Sequence, residues 1–539
     1  MTNQFTYMPR TLSIITVLCT LNLATLPQTS HAACVLPARN LLVLPQSETA
    51  TAMALLWDKP VEHENLAGYE VYQNGARVAT TPPDQTFYGA TNLAPGTSYA
   101  FYVVAKDAGN NRSEPSPTVK ASTRLKGVIL DVSAAPYNAK GDGTTKNTAA
   151  IQKAIDDCPA GGTVKIPAGT FLSGALVLKS NMFFYVASGG VLKGSTDTND
   201  YLPMIWTRYM GVEAWCFQPL IRVGVMDHNA GYTTQNVTLY GEGEIRGGGD
   251  ALALQESYDH RSRLVLIQNC RNVAIMGLHL TYPGGWTVHP LYSDNITGWN
   301  IWVESWDAPK GHSGDGFDPD SCSNVYLVNS VLHTWDNAFG PKSGRGLEGY
   351  QIGRPTKHVR AVGCTFQSSA YGPPCIGSEV SGGIEDVVIR DSKIVGTYFY
   401  FKTNDGRGAF IRNIVMEDVE FTGDAERSIW IDTDCNMRNW LPKAPPYTTC
   451  NNYVFRNLTG CGNITIGGSF GVTNGPARQF YVHNVSFTNV ELTKSKCIEM
   501  QYCDGVQFNN VRRADGTQPT YTLTGTNYNV TRDGVALTQ

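Results

Sequence analysis

The chain has 539 residues, 42% hydrophobic and only 16% charged, a globular composition too apolar and too weakly charged for a disordered protein. Its 42 basic residues against 46 acidic ones give a net charge of −4. That excludes the basic excess that drives non-specific nucleic-acid binding. The 54 glycines, with abundant Thr, Asn and Tyr, indicate a turn-rich all-β protein and not a helical bundle.

Residues 1–32 read as a secretory signal. Arg10 supplies the positive start, and Leu12 to Leu26 is an apolar run too short to span a bilayer comfortably. Ser30-His31-Ala32 places small residues before a cleavage site at Ala33. No later run of 18 apolar residues follows. The expectation is a secreted or periplasmic protein with no membrane contact after cleavage. Of 13 cysteines, Cys19 leaves with the signal. The even remainder suits disulfides in an exported protein, with Cys435/Cys450 and Cys497/Cys503 as the nearest local pairs. Cys270, Cys322 and Cys364 read instead as buried free thiols. No CxxC is present, so no structural zinc is expected.

Residues 36–124 carry short alternating runs: Ala54-Leu55-Leu56-Trp57, Gly68-Tyr69-Glu70-Val71-Tyr72, and Tyr99 to Ala105. Asn74-Gly75 is a hairpin turn signal. This is a small β-sandwich. It resembles the fibronectin type III module at Trp57, Tyr69, the Leu93-Ala94-Pro95-Gly96-Thr97-Ser98-Tyr99 corner and Ala105-Lys106-Asp107. Nothing in it looks catalytic. A spacer or docking role is the default, with polysaccharide binding as a second reading.

From residue 128 the pattern changes. Asn147 to Asp157, with Ala149, Ile151, Ala154 and Ile155 at helical spacing, reads as one short amphipathic helix. After it comes a weak repeat, a polar residue followed by an alternating run, starting at Asn236, Asn272, Asn295, Asn324, His358, Asp386, Asn413, Asn452 and Asn484. The starts lie 23 to 39 residues apart. That is about one coil of a right-handed parallel β-helix with loops inserted on one side. Equivalent residues of stacked coils sit about 4.8 Å apart, so the Asn residues are expected to stack as a ladder at a turn. The helix would cap the open end. A β-propeller needs a longer, more regular period. The fold class is therefore all-β, with a small sandwich preceding a parallel β-helix over 128–539.

The chemistry is expected between residues 313 and 407. Asp315 and Asp336 are 21 residues apart, which places them on adjacent coils at one surface. Two such carboxyls can flank a glycosidic bond with room for a water, as inverting hydrolysis requires. Taken alone, Asp315 and Asp318 could equally be turn residues.

The wider set of motifs resembles glycoside hydrolase family 28, the polygalacturonase family. It comprises Trp286-Thr287-Val288-His289-Pro290, Asp315-Gly316-Phe317-Asp318-Pro319-Asp320, Asp336, Lys342-Ser343-Gly344, Ile376-Gly377-Ser378-Glu379-Val380-Ser381-Gly382-Gly383, Lys402-Thr403-Asn404 and Gly406-Arg407-Gly408. The resemblance runs from about residue 128 to 510. It implies a parallel β-helix and hydrolysis of α-1,4-linked galacturonate with inversion, without metal or other cofactor. The partner implied is a pectic polysaccharide, and the chain is read as a monomer. The long segment 199–234 resembles that of bacterial exo-acting members that also carry a fibronectin-like domain.

Carried over residue by residue, the resemblance implies Asp336 as general acid and Asp315 as general base. Asn337 stands where the family has a second carboxylate and is left to position water. Tyr371 stands in the family's Gly-His-Gly, and Tyr400 replaces the Arg of Arg-Ile-Lys. Lys402 survives from that motif as the preferred carboxylate partner, with Lys342, Arg345 and Arg407 as further cations. Asn337 cannot accept a proton. It also removes a negative neighbour that would raise the pKa of Asp336. Asn337→Asp is expected on this basis to raise activity. Tyr400 offers a face for sugar stacking in place of a guanidinium fork.

Three other readings stay open. One is a same-fold hydrolase of rhamnogalacturonan or a substituted uronide. Another is a non-catalytic carbohydrate-binding relative, because Asn337, Tyr371 and Tyr400 replace family site residues. The last is a calcium-dependent pectate lyase, which ranks lowest because Asp315, Asp318 and Asp320 alternate faces and no Arg base sits nearby.

Overall fold

The computed structural model describes residues 35–306, 313–369, 372–423, 425–435, 442–444, 447–468, 476–493 and 495–538. The secretory segment, Cys34 and Tyr371 lie outside the described residues.

The first unit is a sandwich of two antiparallel sheets. One holds Arg39–Val43, Met53–Asp58 and Phe87–Ala90; the other holds Leu66–Gln73, Ala76–Thr81, Ser98–Asp107 and Val119–Ser122. Asn74 and Gly75 both have positive φ, 51° and 82°, the two-residue turn that matches strand twist. Trp57, Tyr69, Phe101 and Val103 fill its core, with Trp57 edge-on to Tyr69 at 5.3 Å. The Tyr99 hydroxyl accepts a hydrogen bond from the Ala94 amide at 2.8 Å, tying the corner predicted there.

The rest is a right-handed-type stack of coils whose strands pair in parallel. Met182–Val186 pairs with Thr234–Gly241, that with Cys270–Met276, and so on to Cys503–Arg513. The helix Thr148–Asp157 buries Ile151, Ala154 and Ile155 over the first coils, shielding apolar surface that an open end would expose.

Every repeat residue predicted from the sequence adopts the left-handed conformation. Asn236, Asn272, Asn295, Asn324, Asn413, Asn452 and Asn484 have φ between 52° and 62°, as do His358 and Asp386. Asn tolerates this region better than most residues. Each one bends its strand, and the amides stack: Asn272 Nδ2 donates to Asn236 Oδ1 at 2.9 Å and Asn295 Nδ2 to Asn272 Oδ1 at 2.8 Å. A second ladder, not anticipated, runs through Asn457, Asn489 and Asn510 at the next bend.

All the described cysteines are free thiols, so the expected pairs Cys435/Cys450 and Cys497/Cys503 are corrected. The members of each pair belong to different columns of the stack. Cys497 pairs with Thr520 in one sheet, whereas Cys503 pairs with Val482 in another. Cys270, Cys322 and Cys364 are buried free thiols, as read, each donating to the carbonyl two residues earlier.

The sandwich is seated on the coils and does not hang from a spacer. Leu44, Ala54, Leu56 and Phe87 pack on Val328, Val362, Trp299 and Tyr326. Around this apolar contact, Arg390 donates to the Trp57 carbonyl at 2.5 Å and pairs with Asp58 at 3.2 Å. Lys59 bridges Asp391 at 2.5 Å and Asp418 at 2.7 Å.

A third face of the coils is different. Val265–Gln268 and Val288–Leu291 pair in parallel, and the face continues through bridges from Val288 to Phe317 and Phe317 to Phe339. Beyond these lie Cys375–Gly377, Phe399–Lys402 and Arg427–Asp432. This sheet carries the acidic residues. Among the described residues, no helix is long and apolar enough to cross a membrane.

Candidate active site

The bridges set the register. Because Val288 pairs with Phe317 and Phe317 with Phe339, Trp286, Asp315 and Asn337 stand side by side on three successive coils. The Thr287 amide donates to the Asp315 carbonyl at 2.7 Å, and the Gly316 amide to the Asn337 carbonyl at 2.8 Å. The adjacency inferred from spacing is therefore present, with one correction. The residue directly beside Asp315 is Asn337, and Asp336 sits one position earlier, at the strand entrance.

Asp315 is 3% exposed. Its Oδ1 accepts from the Ser313 hydroxyl at 2.9 Å, which in turn accepts from the Trp286 indole at 2.8 Å. Its Oδ2 accepts from Lys342 at 3.2 Å. Lys342 is itself buried and lies 3.4 Å from Asp318 and 3.9 Å from Glu379. One ammonium thus hydrogen-bonds Asp315 and lies close to the Asp318 and Glu379 carboxyls, and this commitment turns it away from the substrate-binding role expected of it. A buried cation of this kind is tolerated only where acidic partners surround it.

Asp336 is the group most altered by its surroundings. Burial, and then the charge of Asp315, pushes its carboxyl up to about 7. The elevation expected to vanish with the loss of a carboxylate at 337 is supplied by these two causes. Asp336 Oδ1 accepts the Asn337 amide at 2.8 Å. Gly372 closes over it: a Cβ there would lie 2.4 Å from both the Asp336 Cα and its Oδ1.

Asn337 is held at both ends. Its Nδ2 donates to the Pro373 carbonyl at 2.7 Å, and its Oδ1 accepts from Lys402 at 3.2 Å. A carbonyl oxygen has two lone pairs, so one remains for a water. Lys402 is 7% exposed and lies 5.7 Å from the Tyr400 ring centroid. Tyr400 stacks on Trp430 at 4.6 Å and donates its hydroxyl to Asp432 at 2.7 Å. One face of Tyr400 is thus already covered, and Trp430 extends the aromatic surface.

Arg407 is 1% exposed, and its Nε donates to the Ser378 carbonyl at 2.7 Å. It braces the Ser378-Glu379 turn, which corrects the expectation of a cation facing the cleft. Burial raises the Glu379 carboxyl, but Lys342, Arg407, Lys402 and Arg345 outweigh it and hold its pKa below the ordinary value.

Three participants named within the motifs were given no site role, and Asp315 and Asp318, expected to alternate faces, meet on one Lys342. Asp318 is fully buried, and burial, then the charge of Asp315, holds its pKa well above normal. His289 is fully buried, its pKa pushed down to about 4 by burial, with Asp320 3.7 Å away. Asp320 pairs with buried Arg208 at 2.8 Å. The two-residue alternation of Asp318 and Asp320 with apolar Phe317 was the available signal for their common face.

An inserted hairpin lies against this face. The hairpin Ile205–Tyr209 and Val212–Cys216 turns at Gly211, whose carbonyl accepts from the Arg345 amide at 2.8 Å. A Cβ at Gly211 would lie 2.6 Å from Glu379 Cγ and 2.7 Å from Arg345 Cβ. Tyr209 packs on Trp286 at 4.8 Å.

A parallel β-helix with an acid of raised pKa beside a buried carboxylate is the arrangement of a glycoside hydrolase. The chain belongs to glycosyl hydrolases family 28, which it matches over residues 225–510. Residues 37–121 match the fibronectin type III domain, and residues 132–202 match "Rhamnogalacturonase A/epimerase, pectate lyase-like". The chain is 25% identical to an exo-poly-alpha-D-galacturonosidase of Dickeya chrysanthemi, across 90% of this chain and 92% of that one. It is 30% identical to a probable polygalacturonase of Vitis vinifera, across 52% and 58%. Among solved structures, the family 28 exopolygalacturonase of Yersinia enterocolitica superposes with a TM-score of 0.77 at 22% identity, covering 92% of this chain and 98% of that one.

Proposed function

We propose that the protein is an exported, exo-acting polygalacturonase that hydrolyses α-1,4-galacturonosidic bonds with inversion. The observation that carries the reading is Asp336, a carboxyl held near pH 7 beside a buried, hydrogen-bonded Asp315. Asp336 gives its proton to the glycosidic oxygen as the bond to the anomeric carbon breaks. Asp315 takes a proton from the water that attacks that carbon from the opposite face. The remaining lone pair of Asn337 orients this water. Lys402 faces the uronate carboxylate, and the Tyr400–Trp430 pair gives the ring apolar contact. Exo action is supported by the inserted hairpin around Gly211, which packs on Glu379 and Arg345 beside the sheet face, and by the full-length likeness to a relative named as an exo-enzyme.

The test is the product pattern from polygalacturonate. Exo-hydrolysis predicts short products of one length from the outset, no absorbance from an unsaturated uronide, and no effect of a chelator. A broad ladder of oligomers would overturn exo action, and unsaturated products would overturn hydrolysis. Release from rhamnogalacturonan alone would favour the substituted-uronide reading, which the Tyr400–Trp430 pair in place of an Arg also suits.

A further inference from the structure

Resting on that reading, we propose that Arg261 is a substrate-binding residue: its guanidinium pairs with the carboxylate of the galacturonate bound on the side of Asp315 away from Lys402. The register places it there. Val265 pairs with Val288, and Val288 with Phe317, so Arg263 shares a row with Trp286 and Asp315. Arg261 precedes Arg263 by two residues, at the entrance of the strand two coils toward the N-terminus. Two coil spacings amount to about 10 Å.

The side chain is 6% exposed, and its Nε and Nη1 atoms are enclosed without a hydrogen-bond partner. Among the described residues, no carboxylate lies within ion-pairing distance of it. Leaving guanidinium donors enclosed and unmet is costly, and a bound carboxylate would satisfy them through paired, charge-assisted bonds. The neighbouring acid Glu256 does not do so. Its Oε2 is taken by the Ser262 amide at 2.7 Å, and burial pushes its carboxyl up to about 7.

The surroundings of Arg261 connect it to the reacting groups. Its guanidinium lies 4.8 Å from the Tyr258 ring centroid. Burial, then the charges of Asp336 and Asp315, pushes the Tyr258 hydroxyl up to about 12, so the ring that Arg261 covers lies within the field of the acidic pair. Tyr209, on the hairpin, feels both Asp315 and Arg261. The segment is fixed to that hairpin, since His260 Nδ1 lies 2.6 Å from the Trp215 carbonyl.

The experiment compares wild type, Arg261→Gln and Arg261→Lys on trigalacturonate and on its fully methyl-esterified form. It measures kcat/KM for each, and calorimetric affinity for trigalacturonate in an Asp336→Asn background. The proposal expects Arg261→Gln to lose about 10- to 100-fold in kcat/KM and in affinity on the free acid, as for a charged hydrogen bond. It expects less than threefold loss on the ester, and partial recovery with Arg261→Lys. Equal losses on acid and ester, or no loss, would overturn it. If Arg261→Gln fails to fold, Arg261→Lys decides by the same acid-to-ester ratio. A protein that binds trigalacturonate without cleaving it would sink the hydrolase reading, and the affinities would still judge Arg261. One that does neither would overturn both.

Discussion

The Lys402 ammonium donates to the Asn337 side-chain carbonyl at 3.2 Å, while the same amide donates to Pro373 at 2.7 Å. A carboxylate at position 337 could keep the first contact but not the second. The amide is therefore built into the site, and in the proposed mechanism the acid-base chemistry rests on Asp336 and Asp315.

Asn337→Asp is expected to lower activity, the reverse of what the sequence alone suggests. The Pro373 carbonyl would lose its donor and face an anionic oxygen, a cost of about 1–3 kcal/mol. The added charge would also raise the Asp336 pKa. The pH profile of kcat should show a maximum about tenfold below wild type and an alkaline limb moved upward. A higher maximum would mean that the lost carboxylate is what limits this enzyme.

Asp336→Asn is expected to cut kcat by about 10²–10⁴, the range for general-acid catalysis, and wild-type kcat should fall as pH rises through about 7. Stability should fall over the same pH range. The folded pKa lies above that of an unfolded Asp, so the group's stabilising contribution is whole below about pH 4 and lost as pH rises through about 7. The Asn variant should melt with wild type at pH 4 and above it at pH 8, by about 1–2 kcal/mol after allowing for solvent screening. Equal melting at both pH values would contradict the raised pKa.

Lys342→Met should leave the Asp315 and Glu379 carboxylates without their shared cation. Stranding a buried charge costs about 3–5 kcal/mol. Urea unfolding at pH 7 should show that loss, together with loss of turnover. A variant as stable as wild type would mean that the carboxyls are neutral without Lys342.

Arg390→Ala should loosen the sandwich from the coils, because the guanidinium reaches the Trp57 carbonyl and Asp58 across the junction. Limited proteolysis should cut near residues 122–128 faster than in wild type, with activity on short oligomers unchanged. Unaltered cleavage would mean that the apolar contact of Phe87 and Leu44 suffices.

The coil architecture was legible because it repeats. Each Asn at a left-handed bend recurs once per coil, and the alternating run after it marks an inward face. Asp315, Asp336 and Lys402 were reachable by motif. The role of Lys342 was not, since one charged residue in a strand does not reveal that Asp315 and Asp318 of one coil and Glu379 of another converge on it. Arg407 was misread for the same reason: its Ser378 partner is 29 residues away. The disulfide expectation failed because closeness in sequence does not put two thiols in one column of a stacked fold. Arg261 belongs to no motif, and only the register brings it to the strand entrance two residues before Arg263, which shares the row of Asp315.

The most direct measurement is the anomeric configuration of the first sugar released from trigalacturonate, followed by NMR before mutarotation. Asp336 as acid and Asp315 as base on opposite sides of an α-linkage predict β-galacturonate first, at a rate lost in Asp336→Asn. Initial α-product, or cleavage that survives that substitution, would contradict the assignment.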